Sequence, residues 1–91
     1  MAATVRIPTP LRKLTNEQES VEVESATIGA AVEELEGKFP GIKERIVDEE
    51  GEIRRFVNVY VNEEDIRFLK NQDTPLKDGD DVSIIPAIAG G

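Results

Sequence analysis

The chain contains no cysteine and no histidine among its 91 residues. Without cysteine there can be no disulfide bond, no thiolate nucleophile and no zinc-thiolate or iron–sulfur site. Without histidine, the commonest general base and metal ligand is also missing. Because few side chains are left for chemistry near neutral pH, we expect no catalytic residue, no bound cofactor and no metal site in this chain.

The sequence also lacks a long apolar run and an excess of basic residues. No segment is long enough to cross a membrane, and the first residues do not have the basic and then apolar pattern of a secretory leader. We therefore expect a cytoplasmic protein that does not bind membranes. The formal net charge of −8 disfavours nucleic acid as a partner, because a phosphate backbone would be repelled. It suits a partner protein with a positive groove, or it serves solubility alone.

Several segments have the composition of β-strands. Apolar and polar residues alternate over 4–7 and 20–24, and residues 56–61 are rich in β-branched and aromatic side chains. A last strand over 82–85 should end at Pro86, which cannot donate to a sheet ladder. We also predict a turn at 62–65 followed by a short edge strand over 66–69. Residues 8–19 should form a loop in which Leu11 and Leu14 fold back onto the core.

One helix is predicted after the second strand. Its apolar residues recur at helical spacing and form a single face, which consists of Ile28, Ala31, Val32, Leu35 and Phe39. Thr27 is the expected N-cap, since its hydroxyl can accept from the free N–H groups of the first turn. Pro40 and Gly41 end the helix, and Ile42 and Ile46 indicate one further short turn.

The order of elements is strand, strand, helix, strand, short strand, strand. With one main helix to cover one face of a mixed sheet of four to five strands, this order predicts a two-layer α+β domain spanning residues 1–91. The arrangement that suits it is the β-grasp of ubiquitin-like proteins, with the last strand in the middle beside the first. The predicted core lies between sheet and helix and consists of Val5, Ile7, Val21, Val23, Ile28, Val32, Leu35, Val57, Val59, Val82 and Ile84.

Residues 86–91 have the composition of an extended, flexible C-terminal tail. Gly90 and Gly91 carry no Cβ, so their backbone can lie in a tunnel too narrow for other side chains. Such a tail can deliver its terminal carboxylate to the active site of another protein. The alternative is a frayed chain end, which is common among proteins.

The whole chain resembles the MoaD/ThiS family of ubiquitin-like sulfur carriers, and its second half carries the specific motifs. The resemblance rests on the segment R-F-V-N-V-Y-V-N at 55–62, the turn L-K-D-G-D at 76–80 and the P-x-x-x-G-G ending at 86–91. A glycine pair alone would be weak evidence, but it follows the turn and the strand at the right spacing. The segment at 55–62 looks most like the branch of carriers that feeds cysteine synthesis.

This resemblance implies a cycle of reactions at the Gly91 carboxylate. A partner activating enzyme would use ATP and magnesium to adenylate Gly91, and a sulfur donor would then displace AMP to leave a thiocarboxylate. The carrier would next give this sulfur to an acceptor on a second enzyme, in the cysteine, molybdopterin or thiamin pathway. In the molybdopterin case, it would be the small subunit of the synthase. The segment expected to thread into the partner comprises Ala87, Ile88, Ala89 and Gly90.

Two other functions are compatible with the same sequence. A ubiquitin-like modifier would also begin with adenylation, but Gly91 would then form an isopeptide bond with lysines of target proteins. A simple β-grasp binding module would make no use of the tail. We expect the carrier function of the three.

A docking surface is expected on the face of the sheet that the helix does not cover. Because strand side chains alternate, Phe56, Tyr60 and Ile85 should point away from the helix, with Arg55 at the rim, and Ile88 would extend this surface toward the carboxylate. Exposed apolar groups on a small charged protein usually mark a binding site. The alternative is that the loop around Leu11 and Leu14 covers the two aromatic rings.

Overall fold

A computed structural model describes residues 2–86 of the chain. Within this range, five strands form one sheet. They are β1 (Ala3–Arg6), β2 (Ser20–Val23), β3 (Val57–Val61), β4 (Glu64–Asp65) and β5 (Asp81–Pro86). The α-helices of this range are α1 (Ile28–Lys38) and α2 (Lys43–Ile46), and short 3-10 helices span Thr9–Thr15, Ile66–Phe68 and Asn71–Asp73. No helix in this part of the chain is both long and apolar enough to cross a membrane.

The sheet has the strand order β2-β1-β5-β3-β4. Strand β5 lies in the middle, parallel to β1 and antiparallel to β3, while β1 pairs with β2 and β3 with β4 in antiparallel fashion. The last strand therefore runs beside the first, as the element order predicted. This mixed sheet with α1 on one face is the β-grasp fold of ubiquitin-like proteins, and the prediction of fold class is confirmed.

Helix α1 begins where the sequence predicted. Thr27 is in the extended conformation, and its hydroxyl accepts a hydrogen bond from the Ala30 N–H at 3.2 Å, which satisfies one of the free donors of the first turn. The predicted apolar face is buried except for Phe39, which follows the helix and is only partly buried. The further turn predicted around Ile42 and Ile46 is α2, and both side chains are fully buried.

All the predicted core residues are buried between the sheet and the helix. The structure adds apolar residues that the predicted core did not include, namely Ala3, Ala31, Ile42, Ile46, Val47, Val61 and Ile66. Leu11 and Leu14 are partly buried and pack against this core, so the prediction that they fold back is confirmed. Their segment is a 3-10 helix from Thr9 to Thr15, where the sequence predicted a loop.

The predicted edge strand over 66–69 is wrong. The edge strand is β4, two residues long and placed earlier, because the chain reverses within Asn62 and Glu63, which have φ of 50° and 74°. A two-residue turn with positive φ at both positions suits the twist of a hairpin, but it is normally built with glycine. After β4, the Asp65 carboxylate accepts from the Arg67 N–H at 2.8 Å and caps a 3-10 helix over Ile66–Phe68.

Two glycines of α1 differ in the space around them, and this difference predicts different changes in stability when each is replaced by alanine. A Cβ on Gly37 would meet nothing within 4 Å, whereas a Cβ on Gly29 would lie 3.3 Å from the carbonyl oxygen of Gln72. Gly37→Ala should raise the free energy of unfolding by roughly 0.5–1 kcal/mol, because alanine loses less backbone entropy in a helix. Gly29→Ala should gain less or lose stability, because the Gln72 segment must move. Urea denaturation of both variants measures the difference, and equal stabilisation by the two would contradict this explanation.

Candidate protein-docking surface

The predicted sulfur-carrying residue and the segment before it lie outside the described residues. They are Gly91, Gly90, Ala89, Ile88 and Ala87, and the structure describes none of them. The last described residue is Pro86, which pairs with Val57 at the end of the central strand. The structure thus shows where the tail begins, in the middle of the sheet.

One face of the sheet lies opposite α1, and we call it the open face. By strand alternation and the observed register, its part on the three central strands β1, β5 and β3 consists of Thr4, Arg6, Asn58, Tyr60, Asp81, Ser83 and Ile85. Across the two central strands Asn58 lies opposite Ile85, and Tyr60 lies opposite Ser83. Ile85 is 49% exposed and Tyr60 is half-buried. The predicted neighbours Tyr60 and Ile85 therefore share this face, and Ile85 lies one residue before the start of the tail.

Phe56 does not belong to β3, and the prediction that it is a strand residue is wrong. The strand begins at Val57, whose N–H donates to the Arg54 carbonyl at 2.9 Å, so Phe56 lies within a turn. Strand alternation consequently does not set its direction. The residue is 48% exposed and lines a shallow depression with residues of α2 and with Arg54. Arg55 is exposed in the same turn.

The segment around Leu11 and Leu14 leaves Phe56 and Ile85 of the predicted apolar surface exposed. Both leucines pack against the core, while Phe56 and Ile85 remain about half exposed. A further exposed aromatic residue is Phe68, which the sequence predicted to lie in the edge strand and which is 85% exposed. An aromatic ring in a short apolar segment is typical of a buried strand residue, so no sequence signal marked it as exposed.

Arg67 reaches the open face from the 3-10 helix beyond β4, and sequence reasoning missed it. Its guanidinium donates to the Asn58 side-chain oxygen and forms an ion pair with Asp65, with 3.2 Å between Nη2 and Oδ2. The Arg67 backbone N–H, and to a lesser degree its guanidinium, hold the pKa of the Asp65 carboxyl below its ordinary value despite some desolvation. Arg67 thus fixes the Asn58 amide beside Ile85.

The two motifs that carry the family resemblance contact each other. The Asn62 side chain donates to Asp80 Oδ1 at 3.0 Å and accepts from the Asp81 N–H at 3.0 Å, and its own N–H donates to the Asp81 carbonyl at 2.7 Å. Asp80 also accepts from the Lys77 N–H at 2.8 Å. The hydrogen bonds from Asn62 and Lys77 lower the pKa of the Asp80 carboxyl.

The turn before β5 is closed by the same motif. Gly79 has φ of +87°, a backbone conformation that residues with a Cβ rarely adopt. Its N–H donates to the Ala2 carbonyl at 2.8 Å, and the Thr4 N–H donates to the Asp80 carbonyl at 2.9 Å. The motif residues therefore act structurally, because they fix the start of β5 against β1 and β3 and so determine where the tail leaves the sheet.

Metal binding finds no support in the described part of the chain. Residues 2–86 contain no group of three acidic side chains arranged to hold a metal ion. Their buried side-chain polar atoms all have hydrogen-bond partners.

The fold and the joined motifs place the chain in the class of ubiquitin-like β-grasp proteins whose central strand leads into a glycine-ended tail. The chain belongs to the ThiS family, whose sequence model matches residues 5–91.

Three relatives show the range of this similarity. The sulfur carrier protein CysO of Mycobacterium tuberculosis is 48% identical over 93 residues, which cover all of both chains. The crystal structure of the BexX/CysO complex of Amycolatopsis orientalis contains a chain that is 48% identical, with a TM-score of 0.92 and coverage of 99% of this chain and 100% of that one. The small archaeal modifier protein 3 of Haloferax volcanii is 38% identical over 68 residues, or 75% of this chain and 73% of the relative.

Proposed function

We propose that this chain is a sulfur carrier, and not itself an enzyme, whose Gly91 carboxylate is converted to a thiocarboxylate. The observation that carries this proposal is the 48% identity to the sulfur carrier protein CysO along the whole of both chains. The described structure supports it, because the strand order places the start of the tail at the end of the central strand. The absence of cysteine and histidine agrees with a co-substrate whose chemistry occurs on partner enzymes.

The proposed chemistry begins with activation of Gly91. A carboxylate is a poor electrophile, so a carboxylate oxygen first attacks the α-phosphate of ATP on a magnesium-dependent activating enzyme, and pyrophosphate leaves. A sulfur nucleophile then attacks the carbonyl carbon of the acyl-adenylate, the C–O bond to AMP breaks and a C–S bond forms. Ala87, Ile88, Ala89 and Gly90 are proposed to thread into the partner, since small residues suit a narrow tunnel.

Cysteine synthesis is the favoured destination of the sulfur, ahead of molybdopterin and thiamin. The proposed partners are the activating enzyme and a sulfur-acceptor synthase, and the proposed compartment is the cytoplasm, where ATP is available. A relative of this chain was crystallised in a complex with another protein, BexX. That complex supports the proposal that this chain, like its relative, works by docking on a partner protein.

Conjugation to proteins is a second candidate function. It is favoured by the 38% identity over 68 residues to the small archaeal modifier protein 3 of Haloferax volcanii. Both functions require adenylation of Gly91, but the end product differs. A carrier is recovered from a cell extract as a free protein with terminal sulfur, and a modifier is recovered joined to the lysines of other proteins.

Mass spectrometry of the protein isolated from its own cells tests the proposal. We expect a population in which one oxygen atom of the terminal carboxylate is replaced by sulfur, and we expect this population to shrink when the cells are starved of sulfur. A Gly91 found only in isopeptide bonds to other proteins, with no free thiocarboxylate, would favour the modifier and contradict the carrier.

We further propose that the open face, with Phe56 beside it and Arg55 at the rim, docks the activating and acceptor enzymes. Tyr60→Ser, Ile85→Ser and Phe56→Ser should each weaken binding to the activating enzyme, because each removes apolar area that the partner would bury. The melting temperature should change little, since Ile85 and Phe56 are about half exposed and lie outside the buried core. Calorimetric binding titrations and thermal melts provide the two measurements.

Phe68→Ser is the matched control for this docking surface. Phe68 is more exposed than Phe56 and lies in the 3-10 helix beyond the sheet edge, so its loss should leave the affinity unchanged. If Tyr60→Ser and Ile85→Ser unfold the domain, or if Phe68→Ser weakens binding as much as they do, the open face is not the docking surface.

A further inference from the structure

Strand β3 has an unpaired stretch on the side away from β5. Strand β4 pairs only with Tyr60 and Val61, so the stretch from Val57 to Val59 has no strand partner on this side. A groove of about 710 Å³ lies along this edge, between the loop at 52–55 and the segment at 65–73. This edge groove adjoins the open face, and Arg67, which contacts Asn58, lies between the two.

Backbone geometry directs two hydrogen-bonding groups into the edge groove. In an antiparallel pair, alternate residues turn their N–H and C=O toward the same neighbour. The Asn62 N–H donates to the Asp81 carbonyl on the β5 side. The N–H and C=O groups of Asn58 and Tyr60 therefore also point toward β5, and those of the odd-numbered residues point toward the edge. The Val57 N–H is used by the Arg54 carbonyl. The Val57 C=O and the Val59 N–H form no hydrogen bond within residues 2–86.

The charge of the edge groove is opposite to that of the whole chain. Four cations line it, namely Arg54, Arg55, Arg67 and Lys70, against the carboxylates of Glu52, Asp65 and Asp73. The chain as a whole carries a formal charge of −8 with only 11 basic residues. Within residues 2–86, the side chains of Arg55 and Lys70 form no ion pair. The groove therefore presents unpaired positive charge beside unpaired backbone groups.

We propose that the edge groove binds an extended acidic peptide segment of a partner protein, which adds a strand to β3. The Val57 C=O would accept from, and the Val59 N–H would donate to, the backbone of the incoming strand, and its carboxylates would lie against Arg55 and Lys70. Backbone pairing supplies affinity in this mode of recognition and side-chain contacts supply specificity. Because this binding involves neither Gly91 nor sulfur, it goes beyond the proposed function, and the test of one does not decide the other.

The test is an NMR titration of the full-length, isotope-labelled chain with a short peptide of alternating glutamate and valine, blocked at both ends. We expect the Val59 amide signal to shift and its hydrogen exchange to slow. Lys70→Glu and Arg55→Glu should each weaken binding by about tenfold, because an opposed charge is replaced by a like charge. Lys13→Glu, an exposed lysine in the first 3-10 helix, is the matched control and should leave the affinity unchanged.

Two further probes separate strand addition from other kinds of binding. The same peptide with alternate amides methylated should lose affinity, because it cannot pair with the Val57 C=O. A peptide with lysine in place of glutamate should not bind. Shifts confined to the open face, equal binding of the lysine peptide, unchanged binding of the methylated peptide, or the same shifts with tripolyphosphate alone would each overturn the proposal. The absence of any shift would overturn it as well, because the cations would then only protect the edge from aggregation.

Discussion

Deletion of Gly91 should abolish formation of the thiocarboxylate while the free energy of unfolding stays at the wild-type value. Removing the last residue shortens the tail by about 3.5 Å of extended chain, so the new carboxylate of Gly90 would fall short of the bound nucleotide. Positioning errors of this size cost orders of magnitude in rate. Stability should be unaffected, because the buried core of the described chain consists of residues no later than Ile84.

Substitution at Gly90 tests whether the width of the tail matters for activation, because it leaves the length of the tail unchanged. Gly90→Trp should block activation, because a large side chain cannot enter a passage fitted to residues without Cβ. Gly90→Ala is the matched control and should retain more activity, since it adds a single methyl group. Incubation of each variant with the cognate activating enzyme, ATP and a sulfur source, followed by mass spectrometry of the intact protein, measures the product.

The prediction for the tail requires that the Gly91 deletion lose activation and keep the stability of the wild type. A Gly91 deletion that still gained sulfur would show that the reacting carboxylate does not need its full reach. A Gly91 deletion that lowered the melting temperature would show that the tail belongs to the folded core. The first result would remove the basis for assigning Gly91 as the sulfur-carrying residue, and the second would mean that a loss of activation cannot be separated from a loss of folding.

Local patterns in the sequence predicted most of the fold, because each pattern reports which side of an element is buried. The alternation around Val57 and Val59 and the helical spacing around Leu35 both identify core residues. The N-cap at Thr27 is a local hydrogen bond, so the sequence places it to the residue. These features depend on neighbours within one element and not on the rest of the chain.

The wrong predictions fall where contacts between distant residues determine the conformation. Asn62 and Glu63 adopt positive φ without glycine, and the Asn62 side chain is held there by hydrogen bonds to Asp80 and Asp81. The sequence alone gives no signal that the hairpin turn at Asn62 and Glu63 is held by residues of the later turn before β5. The edge strand was placed too late for this reason.

In the candidate site, too, the predictions that rest on local patterns are correct and those that depend on distant contacts are not. Tyr60 and Ile85 were placed correctly on one face by strand alternation, because both lie within strands. Phe56 was misassigned because a turn at 54–57 delays the start of the strand by one residue relative to what its aromatic character suggests. Arg67 was missed because its contact with Asn58 depends on how the 3-10 helix folds back after β4.

Leu35→Ala should strongly destabilise the domain, because it truncates a large side chain at the centre of the core. Leu35 is 1% exposed and packs between α1 and the sheet, so its truncation loses transfer free energy and leaves a cavity, at a cost of about 2–5 kcal/mol. For a domain of this size the melting temperature should fall by roughly 10 °C or more. Leu69→Ala is the matched control, because the same atoms are removed from a side chain that is 38% exposed, and it should cost far less. Urea denaturation of both variants tests this, and a Leu35→Ala variant as stable as Leu69→Ala would show that α1 does not pack on the sheet through this face.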